Sequence, residues 1–236
     1  MCTVSFVPTS RGFHLAMNRD EKRTRARGLP PKIVSLNATR VIQPREPNGG
    51  TWIAVNDAGI CLALINWHRI ERKPRGRAVS RGIVVESLAA CRSLADVRAR
   101  LKRLPLQQLR PFRLLAADSS AREVIEWRWN LRRLRQRKHG WAIAHWFSSG
   151  FDEREAERVR AKVCDRNGSA GSLAELRRLH RSHVPCRGPF SICMHRKDAT
   201  TVSYAEVAVT QRRVTMRYAD GPPCGGRRLV GKTLTL

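Results

Sequence analysis

Residues 49–66 read GGTWIAVNDAGICLALIN, and no other stretch constrains the fold of this chain as strongly. Two apolar runs, 51–55 and 60–66, flank NDAG, whose Asn56, Asp57 and Gly59 suit a tight turn. Apolar side chains stand at nearly every position of both runs rather than at alternate ones. Strands of that kind need cover on both faces, so the hairpin belongs inside a layered structure.

The remaining pattern supplies the layers. Residues 2–7 and 12–18 alternate around PTSRG and predict a second hairpin. The run Asn18-Arg19-Asp20-Glu21 closes its second strand. A period of two puts Asn18 and Asp20 on one face and Arg19 and Glu21 on the other. The stretch 22–50 is basic and rich in Pro and Gly, and reads as a surface loop. A basic loop (68–78) leads to Ser80, read as the N-cap of a helix to about Cys91. SLAD (93–96) forms a capping box ahead of a Leu94, Val97, Leu101, Leu104 stripe that Pro105 ends. Strands are predicted at 112–118 and 122–128, extended chain at 141–147, and an Asp152-capped helix to about Cys164. A further capping box starts at Ser172, followed by strands at 190–196, 201–209 and 212–219. This order suits an α+β fold of two packed sheets with helices outside, as one domain over 1–236.

Composition narrows the setting. Apolar residues make up 42% and charged residues 28%, values of a soluble globular chain. No apolar stretch approaches the roughly 18 residues that a membrane span needs. The start lacks the basic n-region and long h-region of a signal peptide. Seven cysteines without regular spacing fit a reducing compartment, so a cytoplasmic protein is expected. The 46 Lys and Arg against 19 Asp and Glu give a net charge of +27, which favours anionic partners. The basic residues are spread over almost every segment, and no helix-turn-helix, RNP or zinc-finger signature organises them. Specific nucleic-acid recognition is therefore not expected.

Cys2 is the first chemical candidate. If Met1 is removed, one residue carries both a thiol and an α-amino group. That amine has an ordinary pKa of roughly 7.7 and can serve as the thiol's base. On position alone the favoured reading of Cys2 is a small apolar residue opening a buried strand. His180, His183, Cys186, Cys193 and His195 are metal-ligand types, but no C-x₂-C or H-E-x-x-H pattern joins them, so no metal site is predicted. No C-x-x-C-H haem motif occurs, and Trp127 and Trp129 of EWRWN read as strand packing.

Met1-Cys2 opening a strand, NRDE closing the next, and GGTWIAVNDAGICLALIN together resemble the NRDE family, which includes the transport and Golgi organisation protein of eukaryotes. SRG (80–82), FSSG (147–150) and CMHRKDATTVS (193–203) resemble its bacterial members. That family in turn resembles N-terminal nucleophile hydrolases of the bile-salt hydrolase and penicillin V acylase branch. The resemblance implies a four-layer αββα sandwich with two mostly antiparallel sheets. It also implies hydrolysis of a C–N (amide) bond in a small molecule, with no cofactor; the arginine surplus favours an anionic substrate. Cys2 would be the nucleophile, Asp20 its hydrogen-bonding partner, Asn66 an oxyanion donor and Arg196 a distal arginine. Met17 and Asn18 stand where the branch writes Arg and Asn, which brings Asn18 and Arg19 into the candidate set. The second oxyanion asparagine has no counterpart; His145, Ser148 and Ser149 are the nearest substitutes. The family-level alternative is a non-enzymatic carrier of haem or an acyl-lipid on the same fold.

The dispersed charge has a testable consequence. Binding to two unrelated DNA duplexes, followed by fluorescence anisotropy, is expected to be equally strong for both. It should fall by about 10³-fold or more between 50 and 200 mM salt, because counterion release supplies it.

Overall fold

Strands β1 (Cys2–Thr9) and β2 (Gly12–Lys22) pair from Cys2↔Arg19 to Thr9↔Gly12. The hairpin is thus longer than its apolar pattern, and NRDE lies within the strand rather than beyond it. The computed structural model describes residues 2–74, 76–166 and 171–236; the expected removal of Met1, and Arg75 of the basic loop, lie outside them.

The hairpin is central in a six-stranded antiparallel sheet. β10 (Ala144–Ser148) flanks β1, and β11 (Ala199–Val209), β12 (Arg213–Asp220) and β13 (Val230–Thr235) continue beyond β2. The second sheet has seven antiparallel strands in chain order: β3 (Leu29–Leu36), β4 (Thr39–Arg45), β5 (Ile53–Asn56), β6 (Ile60–Asn66), β7 (Phe112–Asp118), β8 (Glu123–Trp129) and β9 (Leu134–His139). Between the sheets, Cys2, Val4, Phe6, Leu15 and Met17 meet Ile53, Val55, Cys61, Ala63 and Ile65. On the far side of β5 and β6, Ala54, Ile60, Leu62 and Leu64 pack beneath α1 (Gly82–Leu88) and α2 (Leu94–Arg103). The continuous apolar runs are therefore covered on both faces, as their composition required. α3 (Glu153–Arg166) and α4 (Leu173–His180) cover the first sheet through Val163, Cys164, Leu176 and Leu179. The result is an αββα sandwich.

Several local readings carry over. Asn56 Oδ1 accepts from the Ala58 and Ile60 N–H groups in the NDAG turn. Ser93 caps α2, Asp152 caps α3, and Ser172 with Glu175 forms a full capping box on α4. Others need correction. Residues 29–45 are not loop but the β3–β4 hairpin, turning through Asn37 and Ala38 at φ of 50° and 62°. Pro30 and Pro31 are tolerated because β3 is an edge strand. β9 and β13, edge strands with charged or exposed residues, carry no apolar signal. Residues 190–196 are irregular apart from one bridge, His195↔Thr200. No helix among the described residues is long and apolar enough to cross a membrane.

A buried ion cluster ties the sheets at one edge. Arg113 Nε donates to Glu126 Oε1 at 2.5 Å, and its Nη1 donates to the Phe147 carbonyl of the other sheet at 3.1 Å. Arg128 donates to Glu126 Oε2 at 2.8 Å. Burial would raise the Glu126 carboxyl, but Arg128 and Arg113 outweigh it and hold it at about 2, below its ordinary 4.5. A lowered folded pKa stabilises above the unfolded value and is lost as pH falls through the folded one. Urea titrations are expected to show stability falling between about pH 4.5 and about pH 2. Glu126→Gln should remove the Glu126 share of that dependence and cost about 3 kcal/mol near neutrality, since buried Arg113 then keeps only Glu157, at 3.3 Å, as an anion.

Candidate functional site

At the open end of the sandwich, a cavity of about 430 Å³ lies between the sheets, with Cys2 and Asn66 in its wall. Arg19, Arg25, Arg81 and Arg110 line it, with Glu21 and Glu46 as the acidic residues. Strand alternation explains the floor. Cys2 and Arg19 are cross-strand partners on the inner face, so both side chains reach the same space. Asn66 ends β6 on the opposing sheet. Two glycines close the wall. Gly50, at φ 82°, and Gly82 approach so closely that a Cβ on Gly50 would meet Gly82 backbone at 2.9 Å. That contact lets Thr51 N–H donate to Gly82 O at 3.1 Å, and seats Arg81 at the rim. The GGT and SRG motifs are two halves of one backbone contact.

The cavity is electrostatically ordered. Arg19 donates to Glu46 at 2.6 Å, lies 3.8 Å from Glu21, and stacks 4.2 Å from the Trp52 ring centroid. Arg25 holds the other Glu46 oxygen at 2.5 Å. Arg81 donates to the Pro111 carbonyl at 3.1 Å, and burial brings it down to about 10, still fully charged near neutrality. Both glutamates are thus engaged, and the cations are in excess. Burial pushes the Cys2 thiol up, with Asp20 and Glu21 acting in the same direction.

Asp20 faces the helix layer. Its Oδ1 accepts from Thr201 Oγ1 at 2.7 Å and its Oδ2 lies 3.5 Å from Arg160. Burial raises the Asp20 carboxyl, while Arg160 and Thr201 pull it back. Both partners are fully buried. Arg160 also donates to Thr3 Oγ1 at 3.1 Å and to the Pro189 and Phe190 carbonyls at 3.3 and 3.4 Å. The Asp20 backbone N–H addresses the Cys2 sulfur and favours the thiolate, whereas its carboxylate charge opposes it.

The other candidates scatter. Asn18 also faces the helices, where Nδ2 donates to the His180 and Ile192 carbonyls at 2.9 Å each. Its Oδ1 therefore accepts from His180 Nδ1, leaving His180 Nε2 to accept from Ser5 Oγ at 2.9 Å. His145 meets that same Ser5 hydroxyl at 2.8 Å, on the face away from Cys2. Ser149 is committed to the Phe151 backbone. Ser148 is Cys2's partner on β10, buried, and its Oγ has no hydrogen-bond partner among the described residues. Arg196 is not in the cavity wall; it pairs with Asp198 at 2.9 Å and lies over Phe151.

Sequence reasoning missed Arg160, Arg81 and Arg110. For Arg160 a signal existed: it shares the buried stripe of Ala156, Val163 and Cys164, and a cation on an apolar stripe implies a buried anion.

The family model described as Transport and Golgi organisation 2 matches residues 1–161. The chain belongs to that family. Similar solved structures include a cysteine-to-alanine variant of conjugated bile acid hydrolase from Clostridium perfringens, with TM-score 0.61 and 10% identity over 100% of this chain and 96% of that one. An arginine-to-leucine variant of the same enzyme gives 0.53 and 10% over 100% and 97%. Penicillin V acylase from Agrobacterium tumefaciens gives 0.53 and 10% over 94% and 84%. At that identity the likeness is one of fold. A search of curated proteins finds no match.

In this Transport and Golgi organisation 2 member the Asp20–Arg160 pair should be strongly coupled. Arg160→Met is expected to cost about 3–5 kcal/mol in urea unfolding, because it strands a buried carboxylate. Combining it with Asp20→Asn should cost clearly less than the sum of the single changes.

Proposed function

We propose that this chain is an N-terminal cysteine hydrolase that cleaves a C–N (amide) bond of an anionic small molecule. The observation that carries the reading is Cys2 in the wall of a cavity where four arginines face two glutamates already engaged by Arg19 and Arg25. Such a cavity attracts a carboxylate or comparable anion and repels cations. The family membership and the fold shared with penicillin V acylase and conjugated bile acid hydrolase support the same class.

With Met1 removed, the Cys2 α-amino group takes the thiol proton and the thiolate attacks the amide carbon. The raised thiol pKa makes that internal base necessary near neutrality. Asn66 supplies a donor to the resulting oxyanion, and the unpartnered Ser148 hydroxyl is the best candidate for a second. The protonated amine then passes its proton to the leaving nitrogen as the C–N bond breaks and a thioester remains. Water, deprotonated by the same amine, hydrolyses the thioester. Asp20, held by Arg160 and Thr201, orients the amine. Arg81 and Arg110, in place of Arg196, take the substrate's anionic end. The chain works as one domain, in the cytoplasm.

Intact-mass spectrometry should give a chain lacking Met1. In a Cys186→Ser background, which removes the exposed thiol, substoichiometric alkylation should label Cys2 first. Among N-acyl amino acids, those with a free carboxylate should be cleaved faster than their amidated counterparts. Asn66→Ala should slow turnover about 10²–10³-fold, and Cys2→Ala should abolish it with the fold intact. Retained Met1 in soluble protein, or haem or acyl-lipid binding without turnover of any amide, would defeat the hydrolase reading.

A further inference from the structure

On the helix side of the first sheet, four side chains that no sequence motif joins converge. His183 follows α4, Cys193 and His195 sit in the irregular run before β11, and Cys224 lies in a short turn after β12. One ligand atom from each lies within 4.8 Å of all the others. His195 Nε2 is 3.1 Å from His183 Nε2, 3.4 Å from Cys224 Sγ and 3.6 Å from Cys193 Sγ. A single ring nitrogen makes one hydrogen bond, so it cannot serve three such neighbours. A cation at their centre can. Zinc–nitrogen and zinc–sulfur bonds of roughly 2.1 and 2.3 Å in a tetrahedron require edges of roughly 3.3–3.8 Å, close to these separations.

We propose that His183, Cys193, His195 and Cys224 form a structural Cys₂His₂ zinc site. The surroundings suit one. Thr200 Oγ1 donates to the Met194 carbonyl at 3.1 Å, so it accepts from His195 Nδ1 at 3.4 Å. That hydrogen bond fixes the tautomer and leaves the Nε2 lone pair facing the cluster, as the outer partner of a metal-bound histidine does. Cys193 N–H donates to Ser182 O, and His195 N–H to Gly188 O, so the backbone already holds both ligands. Binding would release one proton from each thiol to solvent, and two thiolates would neutralise the ion. Four ligands leave no open position, which marks a structural rather than a catalytic metal.

The staple would join the connection between α4 and β11 to the turn after β12. It also reaches the candidate active site from behind. Met194, between two ligands, donates its N–H to Thr201 Oγ1 at 2.9 Å, and Thr201 donates to Asp20 at 2.7 Å.

The test uses the full chain, purified under reducing conditions and dialysed against Zn²⁺. Elemental analysis should find about one zinc per chain, near zero in a Cys193→Ser/Cys224→Ser double variant, and about one in Cys186→Ser. Wild-type protein titrated with Co²⁺, which does not depend on any variant folding, should show tetrahedral d–d bands and a thiolate-to-cobalt band. Thr200→Val should weaken zinc affinity about 10–100-fold in competition with a chromophoric chelator. Wild-type protein without zinc, an octahedral Co²⁺ spectrum, unchanged zinc in the double variant, or a Cys193–Cys224 disulfide by mass would each overturn the proposal. None of these readouts depends on amide hydrolysis.

Discussion

The buried contact between Asp20 and Arg160 holds the working parts of this protein in register. Two charges with no solvent exposure are tolerated only when their remaining hydrogen-bonding capacity is met. Thr201 serves Asp20, while Thr3 and the Pro189 and Phe190 carbonyls serve Arg160. The pair and those partners come from β1, β2, β11, α3 and the irregular run after α4. A displacement of any of them leaves a charge uncompensated, so the helix layer is locked to the central hairpin. The strand that carries Cys2 is clamped from behind at Thr3.

The opposite face of the same hairpin has a different task. There β2 presents Met17 to the core and Arg19 to the cavity, two residues apart on one face. The close approach of Gly50 and Gly82 forms part of the cavity wall, and charged side chains share the lining with Trp52, Leu64 and Val79. Guanidinium groups remain cationic even when burial lowers them, as for Arg81. A cavity of this composition selects its occupant by charge before shape.

Much of this was legible locally. The NDAG hairpin, the first hairpin and the helix caps at Ser93, Asp152 and Ser172 depend on neighbouring residues, and those signals survive in any context. The opposite faces of Asn18/Asp20 and Arg19/Glu21 followed from strand period alone. The edge strands were not legible. β3, with two prolines, and β9, with its basic run, are strands because a neighbour offers a ladder, not because their own pattern demands it. The resemblance points to Arg196 and not to Arg160, yet only Arg160 lies beside Asp20, since burial depends on which helix face meets the sheet.

By itself the sequence determined that this chain needs two covered sheets, that a cysteine directly follows the first methionine, and that arginine is in excess over the acidic residues. These follow from periodicity, composition and adjacency, which are properties of neighbours along the chain. The tertiary structure alone decided which arginines line the cavity, which one is buried beside Asp20, and that His183 and Cys224 come within 4.8 Å of each other. Those pairings join residues far apart in the chain. Their distance is set by how layers stack, and no local pattern records it.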